Sequence, residues 1–166
     1  MNSYDEYINV IGDNLSPLDL LHEDGMFLGF FIDQTAEMRE VAVLQDGYAL
    51  QFASEQDENL CILAVTQNGY AIQYVDEQTD AVCLAAVTEN GLALEYVNVE
   101  HQTPAICMAA VCCDGRALQF VREQTPELCV AAVHQNEYAV NYVRDLKHLV
   151  PLMLLSIDGM AMSAMV

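Results

Sequence analysis

The pair Ala-Val returns at Ala42-Val43, Ala64-Val65, Ala86-Val87, Ala110-Val111 and Ala132-Val133, in steps of 22, 22, 24 and 22 residues. Five residues after each Ala stands Gly47, Gly69, Gly91, Gly115 or, in the last case, Glu137. Two further on is Ala49, Ala71, Ala93, Ala117 or Ala139, and three beyond that an aromatic: Phe52, Tyr74, Tyr96, Phe120 or Tyr142. Four position classes in step mark a stack of small units, none able to bury its apolar face alone. The frame extends back to Gly25 and Phe30 and forward to Gly159 and Ala161, which gives about seven units.

Each unit has a helical start. Thr103-Pro104 and Thr125-Pro126 read as an N-cap followed by Pro at the first helical position. Glu127 lies in the first turn, where the helix dipole favours acid. Leu128, Ala131 and Ala132 then mark one helix face. The following Asn-Gly or Asp-Gly reads as a left-handed stop, and a second short helix such as Tyr70 to Val75 completes a hairpin. The Glu137 substitution breaks that stop pattern. Helices of about two turns are unstable alone, so stacking must hold them.

Two rival readings use the same residues. Asn68-Gly69 and Asn90-Gly91 suit β-hairpin turns, and Tyr70, Ile72 and Tyr74 alternate as in a strand. Leu60, Leu63, Val65 and Asn68 also fit a leucine-rich-repeat spacing. Against both, the inner Leu positions become Ala85, Ala109 and Ala131, and Ala is a strong helix former and a poor strand former. The fold class read from the sequence is therefore all-α, a solenoid-like stack of about seven short αα-hairpin repeats, with a leucine-rich-repeat-like β/α solenoid as the alternative. It divides into a degraded N-terminal cap (1–33), five regular repeats (34–145) and an apolar, Met-rich C-terminal unit (146–166).

The segment Ala-Ala-Val-Thr-Glu-Asn-Gly-Leu-Ala-Leu-Glu-Tyr-Val (Ala85 to Val97) resembles a bacterial and viral family of short helical repeats of unknown function. The resemblance runs from about Ala36 to Val143. It implies a helical repeat fold and supplies no catalytic residues.

Composition bears on function. The chain carries 25 Asp+Glu against 5 Lys+Arg, a net charge of -20, yet 54% of it is hydrophobic. Disordered chains combine high charge with few apolar residues, so disorder is excluded. Direct binding to nucleic acid or to an anionic membrane lacks the needed cations. The charge is uneven: residues 1–115 carry -19 and residues 116–166 carry -1. Residues 1–14 are acidic, without the basic start and apolar run of a secretory signal. Leu149–Val166 is interrupted by Pro151, Asp158 and Gly159, which makes a poor membrane span. A cytoplasmic location with six reduced cysteines is expected.

Cys61, Cys83, Cys107 and Cys129 share one register, three residues before the repeat Ala. Zinc ligands usually come in close pairs, and thiols one unit apart would be about 8–10 Å from each other. Small buried hydrophobes are the better reading. Cys112-Cys113 is adjacent and chelates poorly. His22, His101, His134 and His148 are scattered, and no nucleophile-elbow, zinc-protease, phosphate-loop or dinucleotide pattern appears. The expectation is a non-enzymatic protein without metal or cofactor. The aromatic row reads as a core column.

The acids cluster between units. Glu55, Asp57, Glu58, Asp76, Glu77 and Asp80, with Glu95 and Glu100, are the candidate partner-binding residues. Stacking would align them as a negative ribbon that fits a basic protein. The sharpest form is a nucleic-acid mimic that inhibits a nucleic-acid-binding defence protein, as phage-type inhibitors do. The alternative is an interaction scaffold or effector module without mimicry. Leu152, Met153, Leu155, Met160, Met162 and Met165 are the candidate interface of a homodimer, since Met-rich surfaces adapt to partners and twofold pairs are common.

Overall fold

The structure, a computed structural model, describes residues 16–150. Among these residues there are no strands, and six α-helices alternate with short 3₁₀ helices. The α-helices are α1 (Pro17–Glu23), α2 (Ala36–Gln45), α3 (Glu58–Gln67), α4 (Asp80–Glu89), α5 (Pro104–Cys113) and α6 (Pro126–Gln135). Each is followed, one residue later, by a six-residue 3₁₀ helix, as in Gly47–Phe52, Gly69–Tyr74 and Gly91–Tyr96. One α-helix and one 3₁₀ helix make a unit, and consecutive units pack on one another in an all-α helical repeat stack. The repeat positions Gly159 and Ala161 lie outside the described residues.

Local chemistry explains the unit. Each α-helix starts at an extended residue whose side-chain oxygen accepts from the third helical N–H. The caps are Ser16, Thr35, Asp57, Thr79, Thr103 and Thr125. Ser16 and Asp19 form a reciprocal capping box, which satisfies two otherwise orphaned donors.

The Asn/Asp-Gly step does not act as a left-handed stop. Asp46, Asn68, Asn90, Asp114 and Asn136 are extended, with φ between -143° and -152°. Each closes its α-helix and also caps the 3₁₀ helix, accepting from the N–H two residues on, as Asn68 does from Tyr70 at 3.1 Å. None of the six described glycines has a left-handed φ. Close approach requires them instead. A Cβ on Gly69 would lie 2.6 Å from the Ala86 carbonyl oxygen of the next unit, and one on Gly47 2.5 Å from that of Ala64. Glu137, which departs from the glycine, is exposed.

The second helix of each hairpin is 3₁₀ rather than α, which accounts for the strand-like alternation of Tyr70, Ile72 and Tyr74. With three residues per turn, Gly69 and Ile72 share one row, and Ala71 and Tyr74 the next. Gly, Ala and Leu/Ile are buried, the fifth residue is exposed, and the sixth, above the inward Ala, lies at the margin of the core. Ile72, Leu94 and Leu118 are fully buried, as are Ala64, Val65, Ala86 and Val87 from the α-helices. Burying each such Leu or Ile stabilises the stack by about 1.5–3 kcal/mol.

The step of 24 residues arises in one linker. Between Gly91–Tyr96 and α5 the chain adds a short 3₁₀ turn, Val99–His101, and the register resumes at Gln102.

Candidate functional site

The linkers that carry the acids (31–35, 53–57, 75–79, 97–103 and 121–125) are built around a glutamine. Gln34, Gln56, Gln78, Gln102 and Gln124 each reach into the next unit. Gln56 Nε2 donates to the Tyr74 carbonyl at 2.9 Å, and its Oε1 accepts from the Asp76 N–H at 3.0 Å. Gln34 does the same with Phe52 and Ser54, both at 2.8 Å. Gln124 does so with Tyr142 and Arg144, both at 2.9 Å. An amide matches a carbonyl and an N–H two residues apart because it offers one donor and one acceptor in a plane. A Gln-Thr pair recurs at Gln34-Thr35, Gln78-Thr79, Gln102-Thr103 and Gln124-Thr125, but the pair by itself does not mark the glutamine as a clamp. The spacing of each Gln from the linker ahead, 18 and 20 residues, is the signal that would have found it.

Behind each clamp lies the cysteine column. Cys61, Cys83, Cys107 and Cys129 are buried free thiols. Cys61 Sγ donates to Gln56 Oε1 at 3.6 Å, and Cys83 to Gln78 at 3.7 Å. Burial pushes the Cys61 thiol up to about 11, helped by Asp57, Asp76 and Glu58; burial, with Asp80, raises Cys83 to about 11 as well. Cys129 lies 3.6 Å from His148 Nδ1. Its thiol is fully buried and burial raises its pKa, the reverse of an activated nucleophile. Among the described residues no group of three or more His, Cys, Asp or Glu is placed to hold a metal ion. In α2 the column position is Arg39, whose guanidinium donates to the Gln34 carbonyl at 3.0 Å and pairs with Glu55 at 3.1 Å.

The candidate acids do not share one place. Asp57, Glu58, Asp76 and Glu77 come together, with Gln56, Cys61 and Thr79, around a cleft of about 350 Å³ between linkers. Two of them also hold structure: Asp57 caps α3, and Glu58 Oε1 accepts the Thr79 hydroxyl at 2.7 Å. Asp80, one turn along, is exposed and lies 2.7 Å from His101 Nδ1. Glu55 is exposed next to Arg39. Glu100 is exposed on the inserted turn. Glu95 belongs to another face, the outward row of the 3₁₀ helices, in register with Gln51, Gln73 and Gln119. The equivalent cleft near the other end, about 460 Å³, is lined by Gln102, Pro104, Cys107, Arg122 and Glu123 among others. Arg122 there stands where Asp76 stands, so the edge turns from acidic to mixed along the stack. The six candidate dimer residues, Leu152, Met153, Leu155, Met160, Met162 and Met165, lie outside the described residues.

The acids at the opposite edge serve the fold. Asp46 and Asp114 are elbow caps, and Glu89 Oε2 accepts the Gly69 N–H at 2.5 Å. Hydrogen bonds from the Arg116 guanidinium, 2.6 Å away, hold the Asp114 carboxyl below its ordinary range.

The aromatic row is a core column only in part: Phe120 and Tyr142 pack half-buried against the core. Phe30, Phe52 and Tyr96 are each more than a third exposed, while the fully buried columns are Ala and Leu/Ile. Aromatic pairs instead bridge units on the 3₁₀ face: Tyr48 meets Tyr74 edge-on at 5.8 Å, and Tyr70 meets Tyr96 at 6.0 Å.

No described helix is long and apolar enough to cross a membrane. No curated protein and no solved structure matches the chain. Residues 38–79 match the model of a domain of unknown function (DUF4116). That stretch runs from inside α2 to Thr79, the cap of α4, so the similarity spans a little under two repeat units.

Proposed function

We propose that the chain is a non-enzymatic, cytoplasmic binding protein that presents its acidic linker edge to a basic surface of another protein. The observation that carries this reading is the convergence of Asp57, Glu58, Asp76 and Glu77 on one cleft. Four carboxylates this close repel one another and cost stability, and a cationic partner relieves that cost. In its sharpest form the edge acts as a nucleic-acid mimic, occupying the groove of a nucleic-acid-binding defence protein. The near-neutral C-terminal unit would pair two copies, doubling the length of the edge.

The test is affinity capture at graded salt, with the partner then identified and purified. The reading expects a basic partner whose binding weakens steeply with salt and is abolished when Asp57, Glu58, Asp76, Glu77 and Asp80 are changed to Lys. Nucleic acid should compete for the same partner if the edge is a mimic. Salt-insensitive capture of a neutral partner would reject the acidic-edge reading in favour of an interaction scaffold. A single-copy mass by light scattering at micromolar concentration would reject the pairing.

A further inference from the structure

The outer face of the α-helices breaks the charge pattern of the protein. In each ten-residue helix the second and ninth residues are exposed, and the fifth and sixth lie between them at the outer margin of the core. In α3, α4 and α5 none of the twelve residues at those positions is charged. The fifth position holds Ile62, Leu84 and Met108, with Ile62 and Met108 half-buried against the core, and the sixth holds Leu63, Ala85 and Ala109. Leu84 is 43% exposed. A groove of about 520 Å³, lined mostly by apolar atoms, runs between α3 and α4 past Thr66, Ala81, Leu84, Ala85 and Thr88, with Glu89 at its end. The same positions carry Glu37 and Glu40 in α2 and Glu127 in α6, so acid closes the window on both sides. Asp80 and Glu58 stand at the N-terminal ends of α4 and α3.

We propose that this window docks an amphipathic helix of a protein partner, with an apolar stripe flanked by Lys and Arg. The surface is distinct from the acidic linker edge and does not depend on it. Side-by-side helices bearing small residues leave a groove that a third helix fills at about 8–10 Å axis separation, and its large residues seat beside Leu84 over Ala81 and Ala85. The acidic border selects the flanks of the guest. It also disfavours a second copy of this chain, which would set Glu37, Glu40 and Glu127 against acids of the same sign. An anionic lipid surface is disfavoured for the same reason.

The test uses two synthetic peptides of the same Leu and Lys composition, one with Leu on a single helical face and one with Leu scattered. Binding is followed by backbone amide shifts of the labelled protein. The amphipathic peptide should bind at least about tenfold more tightly than the scattered one, with the shifts concentrated in α3–α5. Leu84→Lys should lose that preference with an unchanged helical spectrum. The linker variant with Asp76 and Glu77 changed to Lys, which touches neither the α3 cap nor the acidic border, should keep it. Equal binding of the two peptides, shifts confined to the linkers, or an unaffected Leu84→Lys variant each overturn the proposal. So do shifts in α3–α5 that appear on concentrating the protein alone, which would place a second copy on this face. Equal binding that is lost in the linker variant would sustain the acidic edge while removing the window.

Discussion

Gln78 holds the backbone on both sides of Val97, donating to the Tyr96 carbonyl at 2.8 Å and accepting from the Asn98 N–H at 2.8 Å. One planar amide thereby fixes the exit of a 3₁₀ helix one unit away. Gln78→Ala gives both backbone groups to water and should cost about 1–2 kcal/mol in urea unfolding. Gln78→Glu keeps the acceptor for Asn98 but sets a carboxylate oxygen against the Tyr96 carbonyl. It should cost at least as much as the Ala variant at neutral pH, although it is nearly isosteric. A Glu variant as stable as the parent would remove the clamp from the account.

Gly91 and Gly29 separate two kinds of glycine. A Cβ on Gly91 would lie 2.4 Å from the Ala110 carbonyl oxygen and 2.9 Å from the Asp114 nitrogen, both backbone atoms of the next unit. Neither can move without parting the stack, so Gly91→Ala should destabilise by about 2–3 kcal/mol. A Cβ on Gly29 meets only the ring of Phe52, at 2.9 Å, and that ring is 37% exposed and free to swing aside. Gly29→Ala should be within about 1 kcal/mol of the parent. Thermal melts of the two variants make the comparison.

The repeat, the helix caps and the acid in the linkers were all legible from residue spacing, because each depends on groups close in sequence. Thr103 and Thr125 cap as the Thr-Pro pairs imply. The Asn-Gly and Asp-Gly steps were misread, because the same dipeptide serves a left-handed turn and an extended elbow. What decides between them is the Ala86 or Ala110 carbonyl pressed against the glycine from the next unit, a contact between units that no local pattern records. The aromatic row was misread for a related reason. Tyr74 and Tyr96 recur as a core residue would, but as the last residues of their 3₁₀ helices they sit at the margin of the core and pair edge-on with Tyr48 and Tyr70. The convergence of Asp57 and Glu58 with Asp76 and Glu77 follows from stacking, whereas Glu95 shares their chemistry and stands on another face.

The thiols fall into two populations. Cys112 and Cys113 are exposed, and Cys61, Cys83, Cys107 and Cys129 are buried with raised pKa values. A thiol-reactive disulfide reagent at pH 8 should modify two cysteines quickly and the other four only at the rate at which the stack opens. The raised thiols also set a sign for alkaline stability. Cys61 and Cys83 ionise near 9.0 when unfolded and near 11 when folded. Between those values the unfolded chain binds fewer protons than the folded one, so stability falls as pH rises. Below about pH 9 their contribution is fully present. Cys61→Ser and Cys83→Ser should flatten the decline, and an unchanged alkaline melt in the double variant would assign it to other groups.

The joint between α4 and α5 has one weak member. At the glycine edge, Gly47 donates to Gln67 Oε1 at 2.7 Å and Gly115 to Gln135 Oε1 at 2.6 Å. Each of these glutamines also returns a bond to the preceding unit, Gln135 to the Cys113 carbonyl at 3.1 Å and Gln67 to that of Gln45 at 3.5 Å. At Gly91 the same position is Cys113, whose sulfur accepts from Gly91 at 3.2 Å and donates to the Thr88 carbonyl at 3.8 Å. A thiol is a weak donor and a weak acceptor, so the two bonds are made with poorer partners. Cys113→Gln restores the amide at an exposed edge and should stabilise the protein by about 0.5–1 kcal/mol. Cys113→Ala, which removes both bonds, should shift the melting temperature the other way. If Cys113→Gln melts below the parent, the two-residue insertion at Val99–His101 has moved this joint out of the register its neighbours share.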